Sequence, residues 1–254
     1  MTVGNKIYLT LASTAVLLSG CAETGEDVYH DYQAISQQVN AYSSYTNDIY
    51  LSVDFYIPDG DQIYLVNSTS TSTVAIQDRQ SETIRFHTVS NTTTVDQTTS
   101  IDMWYGDGIA YVDLDGDKYS VYADYETYLF NYSDALLSQF YTQDEFNSIS
   151  RRNKNNQIIY TIDLNEIGVE NTVLDYLMNA NQIHDDTHVN INSATVTLTC
   201  DQNSMPIQQT VKISLEAVSE TTTTIEITGT NNYQLINETI VELPDNLDQY
   251  PPLE

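Results

Sequence analysis

From Ile49 the chain alternates: Ile49, Leu51, Val53, Phe55 and Ile57 are apolar, and Tyr50, Ser52, Asp54 and Tyr56 stand between them. A period of two assigns the two sets to opposite faces of an extended strand, and no other feature restricts the possible folds as strongly. Pro58-Asp59-Gly60 reads as a turn into a second strand, Gln62–Val66. Further strands are expected at Thr73–Gln77, Thr83–Val89, Ser100–Tyr105, Ile109–Leu114 and Lys118–Ala123. Asp107-Gly108 and Asp115-Gly116 mark hairpins, because two-residue turns between antiparallel strands need residues that tolerate positive φ. The run Ser68–Thr73 is β-compatible and solvated, and reads as a strand edge or hairpin. Short strands at regular spacing argue for an antiparallel meander rather than parallel βαβ units.

Helical periods interrupt this pattern. Val28, Tyr32, Ile35, Val39 and Tyr42 are spaced by alternating steps of four and three, which makes one stripe of an amphipathic helix over Asp27–Ser44. Between Tyr125 and Ser150 the pattern is helical again, with Leu136, Leu137, Phe140 and Tyr141 on one face. There Thr142-Gln-Asp-Glu145 has the form of a capping box opening a short helix with Phe146 and Ile149 inward. A third helix is expected over Glu170–Asn181, with Val173, Leu174, Leu177 and Met178 on one face. The basic, polar patch Arg151–Asn156 leads into a strand carrying Ile158, Tyr160, Ile162 and Leu164. Strands are also expected at Ala194–Cys200, Thr210–Ala217, Thr221–Thr228 and Tyr233–Val241, before a tail extended by Pro244, Pro251 and Pro252. No internal repeat and no linker divides the chain, so residues 28–254 are expected to form one α+β domain.

The N-terminus carries Lys6, an apolar run from Ile7 to Leu18, and then Leu18-Ser19-Gly20-Cys21. The run is too short to cross a bilayer, which takes about 20 residues, and reads as a signal peptide. Leu18 to Cys21 resembles the bacterial lipobox at all four positions. That resemblance implies removal of residues 1–20 and a diacylglycerol on Cys21, with residues 21–27 an acidic tether. The protein is then lipid-anchored on the outer face of the cell membrane, in an envelope of Gram-positive type. With Cys21 acylated, Cys200 has no disulfide partner, and its place in an alternating strand suits a small buried hydrophobe.

Charge narrows the function. Eight Lys and Arg against 36 Asp and Glu give a formal net charge of −28. Such a chain lacks the attraction to phosphate that supplies most nucleic-acid affinity, so no nucleic-acid partner is expected, and it is repelled by anionic head groups. Only 17% of residues are charged, so Asn, Gln, Ser and Thr must build much of the surface. Twenty Tyr against five Phe imply many half-wet aromatic positions.

The stretch Trp104-Tyr-Gly-Asp-Gly108-Ile-Ala-Tyr111, continuing to Gly116 and Tyr119, is similar to a hairpin of the LolA/LppX-like superfamily of lipoproteins and lipoprotein-localisation factors. The match is closest to its uncharacterised Firmicutes members, and Thr239–Pro244 resembles their closing strand and proline. The resemblance implies a single strongly curved antiparallel sheet, a half-barrel, with helices on its concave face. It further implies a hydrophobic ligand, an acyl chain, lipid or lipidated partner, between sheet and helices. Ile35, Val39, Leu136, Phe140, Leu177 and Met178, on the inward stripes of the expected helices, would form its wall. The alternative is that these residues pack to normal density, leaving a cell-surface interaction or envelope-sensing scaffold with no internal ligand.

Chemistry-bearing patterns are few. His184-Asp185-Asp186-Thr187-His188 has metal-ligand types but lies in a polar stretch between elements, where a solvated loop is expected. Asp113-Leu-Asp115-Gly116-Asp117 mimics the start of a calcium loop with its glycine two places early, and reads as a β-turn. No hydrolase, zinc-protease or nucleotide-binding motif is present. No enzyme activity, metal or cofactor is therefore expected.

Overall fold

The structure, a computed structural model, describes residues 23–59, 62–78, 84–122, 137–174, 177–178, 183, 188–218 and 222–253. Its frame is one 12-stranded antiparallel sheet. Strands β2 (Ser44–Asp59), β3 (Gln62–Asp78), β4 (Arg85–Thr93), β5 (Thr98–Gly106), β6 (Ile109–Leu114) and β7 (Asp117–Tyr122) form a first meander. A second meander runs through β8 (Phe146–Lys154), β9 (Gln157–Leu164), β10 (His188–Cys200), β11 (Pro206–Val218) and β12 (Thr222–Gln234). The meanders fuse where β12 pairs with β2, from Thr224↔Tyr56 to Gln234↔Thr46. Two hairpins close as their sequences require, with φ of 54° and 78° at Asp107 and Gly108, and 52° and 98° at Asp115 and Gly116.

The alternation decides which face is buried. Ile49, Leu51, Val53 and Phe55 point to one side of β2, here called the inner face, and meet Asn231, Gly229, Ile227 and Ile225 of β12. The inner faces of β8 to β12 and β2 carry the main apolar cluster. Crossing to β3 and β4 the same face turns polar, with Thr71, Thr73, Thr88 and Ser90 all buried. Hydroxyls link them in pairs: Thr73 Oγ1 donates to Ser90 Oγ at 3.0 Å, and Thr71 and Thr92 stand 3.2 Å apart. At β5 and β6 it becomes apolar again, around Phe86, Met103, Tyr105, Ala110 and Val112.

Helix α1 (Glu26–Asn40) lies on the inner face over β8 and β9. Its expected stripe is buried as Val28, Tyr32, Ile35 and Val39, and Tyr42 follows just beyond the helix end. Glu26 and Asp27 occupy the first turn, where their charge meets the positive end of the helix dipole. Tyr32 packs on Tyr160 with ring centroids 6.0 Å apart.

Several expected elements differ. Within the expected tether, residues 21–27, Glu23–Thr24 form β1, paired with Arg151 and Ser150 at the edge of β8, and Glu26 opens the helix; residues 21–22 lie outside the described residues. Residues 68–73, expected as a strand edge or hairpin, instead form the middle of a strand, paired with β2 throughout and from Ser70 also with β4. Gln62–Asp78 is one 17-residue strand in which threonines face inward and serines outward, so a polar alternation does what an apolar one does elsewhere. The capping box at Thr142 and Glu145 exists, but it opens a single 3-10 turn (Gln143–Glu145), and Phe146 begins β8 instead of a helix. Ile149 is buried opposite Ile162 of β9, a cross-strand partnership that a helix would not offer. The patch before β9 is itself a hairpin, with Asn155 and Asn156 at φ of 52° and 62°. The third helix starts early: Asn165 caps α2 (Glu166–Val169) by accepting from the Gly168 amide, and the chain continues as a π turn over Glu170–Leu174. A last strand over Tyr233–Val241 is absent; Tyr233 and Gln234 finish β12, and the chain then turns at Leu235–Glu238.

Short segments from outside the meanders lie against both sides of the sheet, at β8 and at β7. At β8, Arg151 holds β1 and α1 together through Glu23 and Asp31. At β7, Ser120 N donates to Pro251 O at 2.8 Å and Leu253 N donates to Ser120 O at 2.9 Å. A short 3-10 turn (Leu247–Gln249) leads into this contact.

Candidate functional site

Beside α1 a second covering of the inner face runs through residues 137–141. Leu137 is seated directly on Gly229, the one inner-face position of β12 without a side chain. Two sheet amides fasten this segment: Gln209 Nε2 donates to the Gln139 carbonyl at 3.1 Å, and Asn231 Nδ2 donates to the Leu137 carbonyl at 3.2 Å and to Ser138 Oγ at 3.2 Å. Tyr141 N donates to Tyr32 OH at 3.1 Å, joining the segment to the helix. Phe140 packs on Tyr32 with ring centroids 5.5 Å apart.

On the inner faces of β2 and β12 three buried polar atoms have no hydrogen-bond partner: Asn47 Oδ1, Asn231 Oδ1 and Tyr233 OH. Their residues are 3%, 0% and 7% exposed. Asn47 and Tyr233 are directly opposite across β2 and β12, and Asn231 is their diagonal neighbour on the same face. The orientation of Asn231 is fixed, since only its amide nitrogen can donate to the Leu137 carbonyl, which leaves the oxygen as an acceptor. Burial pushes the Tyr233 phenol well above its ordinary range, as it does Tyr32 and Tyr141, so all three keep their protons. The site is therefore uncharged and apolar-walled, with amide acceptors and one phenol.

The six wall residues expected from the sequence are placed unevenly. Ile35, Val39 and Leu177 belong to the main buried cluster, and Phe140 is half-buried against it. Met178 is half-buried, and Leu136 lies outside the described residues. Asn47, Asn231 and Tyr233 were missed, although a signal existed. The inward alternation of β12 runs Ile225, Ile227, Gly229, and continuing it places Asn231 and Tyr233 inside.

Cys21 and residues 184–187 lie outside the described residues, while His188 is exposed at the start of β10. Among the described residues no group of three His, Cys, Asp or Glu side chains is placed to hold a metal. Asp115 and Gly116 form the expected β-turn, with Gly116 N donating to Asp113 Oδ1 at 2.9 Å. No helix among the described residues is long and apolar enough to cross a membrane.

No family model matches the chain, and no curated protein matches it in sequence. Among solved structures it is similar to the lipoprotein LppX of Mycobacterium tuberculosis, at 8% identity and a TM-score of 0.42 over 85% of this chain and 97% of that one. It is also similar to LprF of Mycobacterium bovis, at 10% identity and a TM-score of 0.35 over 87% and 98%.

Proposed function

We propose that the protein is an extracytoplasmic lipoprotein, anchored to the membrane through acylated Cys21, that holds a hydrophobic ligand between sheet and helices. In this reading the sheet is curved as a half-barrel, α1 and its neighbours lie on the concave face, and the protein catalyses no reaction. The observation that carries it is the group of unpartnered buried acceptors at Asn47, Asn231 and Tyr233. A buried polar atom left without a partner costs about 1–3 kcal/mol, and a ligand head that donates hydrogen bonds removes that cost. The ligand is then an amphiphile: an apolar body against the main cluster, with a hydroxyl or amide at its head. Kinship with Firmicutes lipoproteins, carried by the Trp104–Tyr119 hairpin, belongs to the same reading.

A specific contact favours a second reading. Leu137 on Gly229, together with fully buried Ile35 and Leu177, gives the density of a filled core and suits an interaction scaffold without internal ligand. Native mass spectrometry and organic extraction of the purified protein separate the two. An amphiphile released from the wild type, and lost from Asn47→Leu without loss of folding, supports the carrier. Protein of bare mass under native conditions, with an empty extract, gives the scaffold.

A further inference from the structure

A cleft lies on the other side of the sheet from the interior, where the C-terminal tail crosses the outer face of β6 and β7. It has a volume of about 580 Å³, within the usual range for small-ligand sites. Its walls include Tyr111, Tyr122 and Tyr250 together with Leu247, Leu253 and the acidic residue Asp248, and none of its lining residues is cationic. Tyr250 is the buried pivot: its ring is edge-on to Tyr111 at 5.9 Å and to Trp104 at 6.3 Å. Tyr122, by contrast, is 84% exposed, a large aromatic ring held at the rim.

We propose that this cleft binds a small organic cation with apolar substituents on its nitrogen, of the trimethylammonium kind. Aromatic faces and a carboxylate are the pair of features that attract such a cation, while its methyl groups lose little hydration on entering a wall of Tyr and Leu. Lys118 Nζ stands 5.2 Å from the centre of the Tyr250 ring, so that ring already holds the protein's own cation, and Tyr111 and Tyr122 are the rings left for a ligand. Anionic ligands are opposed by Asp248 and by the net charge of −28, which in turn concentrates cations near the surface. A neutral apolar guest gains nothing from the carboxylate. This site is independent of the interior amphiphile: it lies on the other side of the sheet and shares no residue with that one.

Trp104 is the chain's single tryptophan and sits one ring behind the cleft, so its emission reports on occupancy. The full chain is titrated with choline, and with the uncharged isostere in which a tert-butyl group replaces trimethylammonium, at about 0.15 M salt to screen diffuse attraction. The expected result is a saturable change with choline at one site and none with the isostere. Asp248→Asn and Tyr122→Leu, both at exposed positions, each weaken it by roughly tenfold. A response that fails to saturate, is matched by the isostere, or survives both substitutions overturns the proposal.

Discussion

Leu137 and Gly229 occupy one space: a β-carbon added at 229 would stand 2.5 Å from Leu137 Cδ2 and 2.9 Å from its Cδ1. The leucine is fully buried and the strand beneath it is central in the sheet, so neither can retreat far. Gly229→Ala is expected to destabilise the protein by about 1–3 kcal/mol through overpacking. Leu137→Ala alone leaves a hole and also destabilises, but combined with Gly229→Ala it recovers part of the loss. Urea unfolding of the two single variants and the double variant measures the coupling; strict additivity would show that the contact is not tight.

Leu177 and Met178 are adjacent in sequence and differ in burial, the first wholly enclosed in the main cluster and the second half-buried. Leu177→Ala is expected to cost about 2–5 kcal/mol and Met178→Ala clearly less. Equal, small losses at both positions would instead mark Leu177 as the wall of an open cavity.

Alkali should unfold the protein in a definite window. Burial raises the Cys200 thiol from an ordinary 9.0 up to about 12, with Asp201 adding to the effect, and raises the phenols of Tyr32, Tyr141 and Tyr233 above their ordinary 10.0. Below about pH 9 these groups are protonated in both folded and unfolded chains, and their contribution to stability is intact. Above it the unfolded chain loses protons that the folded one keeps, so stability falls, by about 1.4 kcal/mol per pH unit for each fully ionising group. Urea midpoints between pH 8 and 11 should decline, and Cys200→Ala should flatten the first part of the decline. In the folded protein, Cys200 should also resist thiol reagents at pH 8.

Cys21→Ala is expected to convert a membrane-bound product into an unprocessed or released one. Each buried methylene of an acyl chain contributes roughly 0.8 kcal/mol, and two chains are needed for lasting attachment. Unchanged fractionation of the variant with membranes would remove the anchor from the proposal.

The meander and α1 were legible because each rests on local signals: an apolar period of two, a stripe spaced by three and four, and Asp-Gly turns at 107 and 115. What escaped depended on partners distant in sequence. Phe146–Lys154 is flanked by a capping box on one side and an Asn-Asn turn on the other, and only pairing with β9 decides that it is extended. The inward threonines of β3 carry no hydrophobic signal at all, since Thr73 is buried by neighbours such as Ile49 and Ser90 that belong to other strands. The interior acceptors follow the same logic: Asn47 is one polar residue in a strand until Tyr233 is placed opposite it. The contact between Trp104 and Tyr250 joins positions that no local pattern relates.

The short segments resting on β8 and β7 carry a further consequence. An open sheet with two bare edges is a template on which like sheets can stack end to end. Here β1 takes one edge for two residues, and the strip on β7 contains Pro251 and Pro252, which have no amide hydrogen to offer a next strand. A chain cut before Tyr250 would present β7 uncovered, and growth into filaments at rising concentration is the behaviour to look for. At Ser120 the proline pair thus turns toward any approaching strand a backbone that has no amide hydrogen to give.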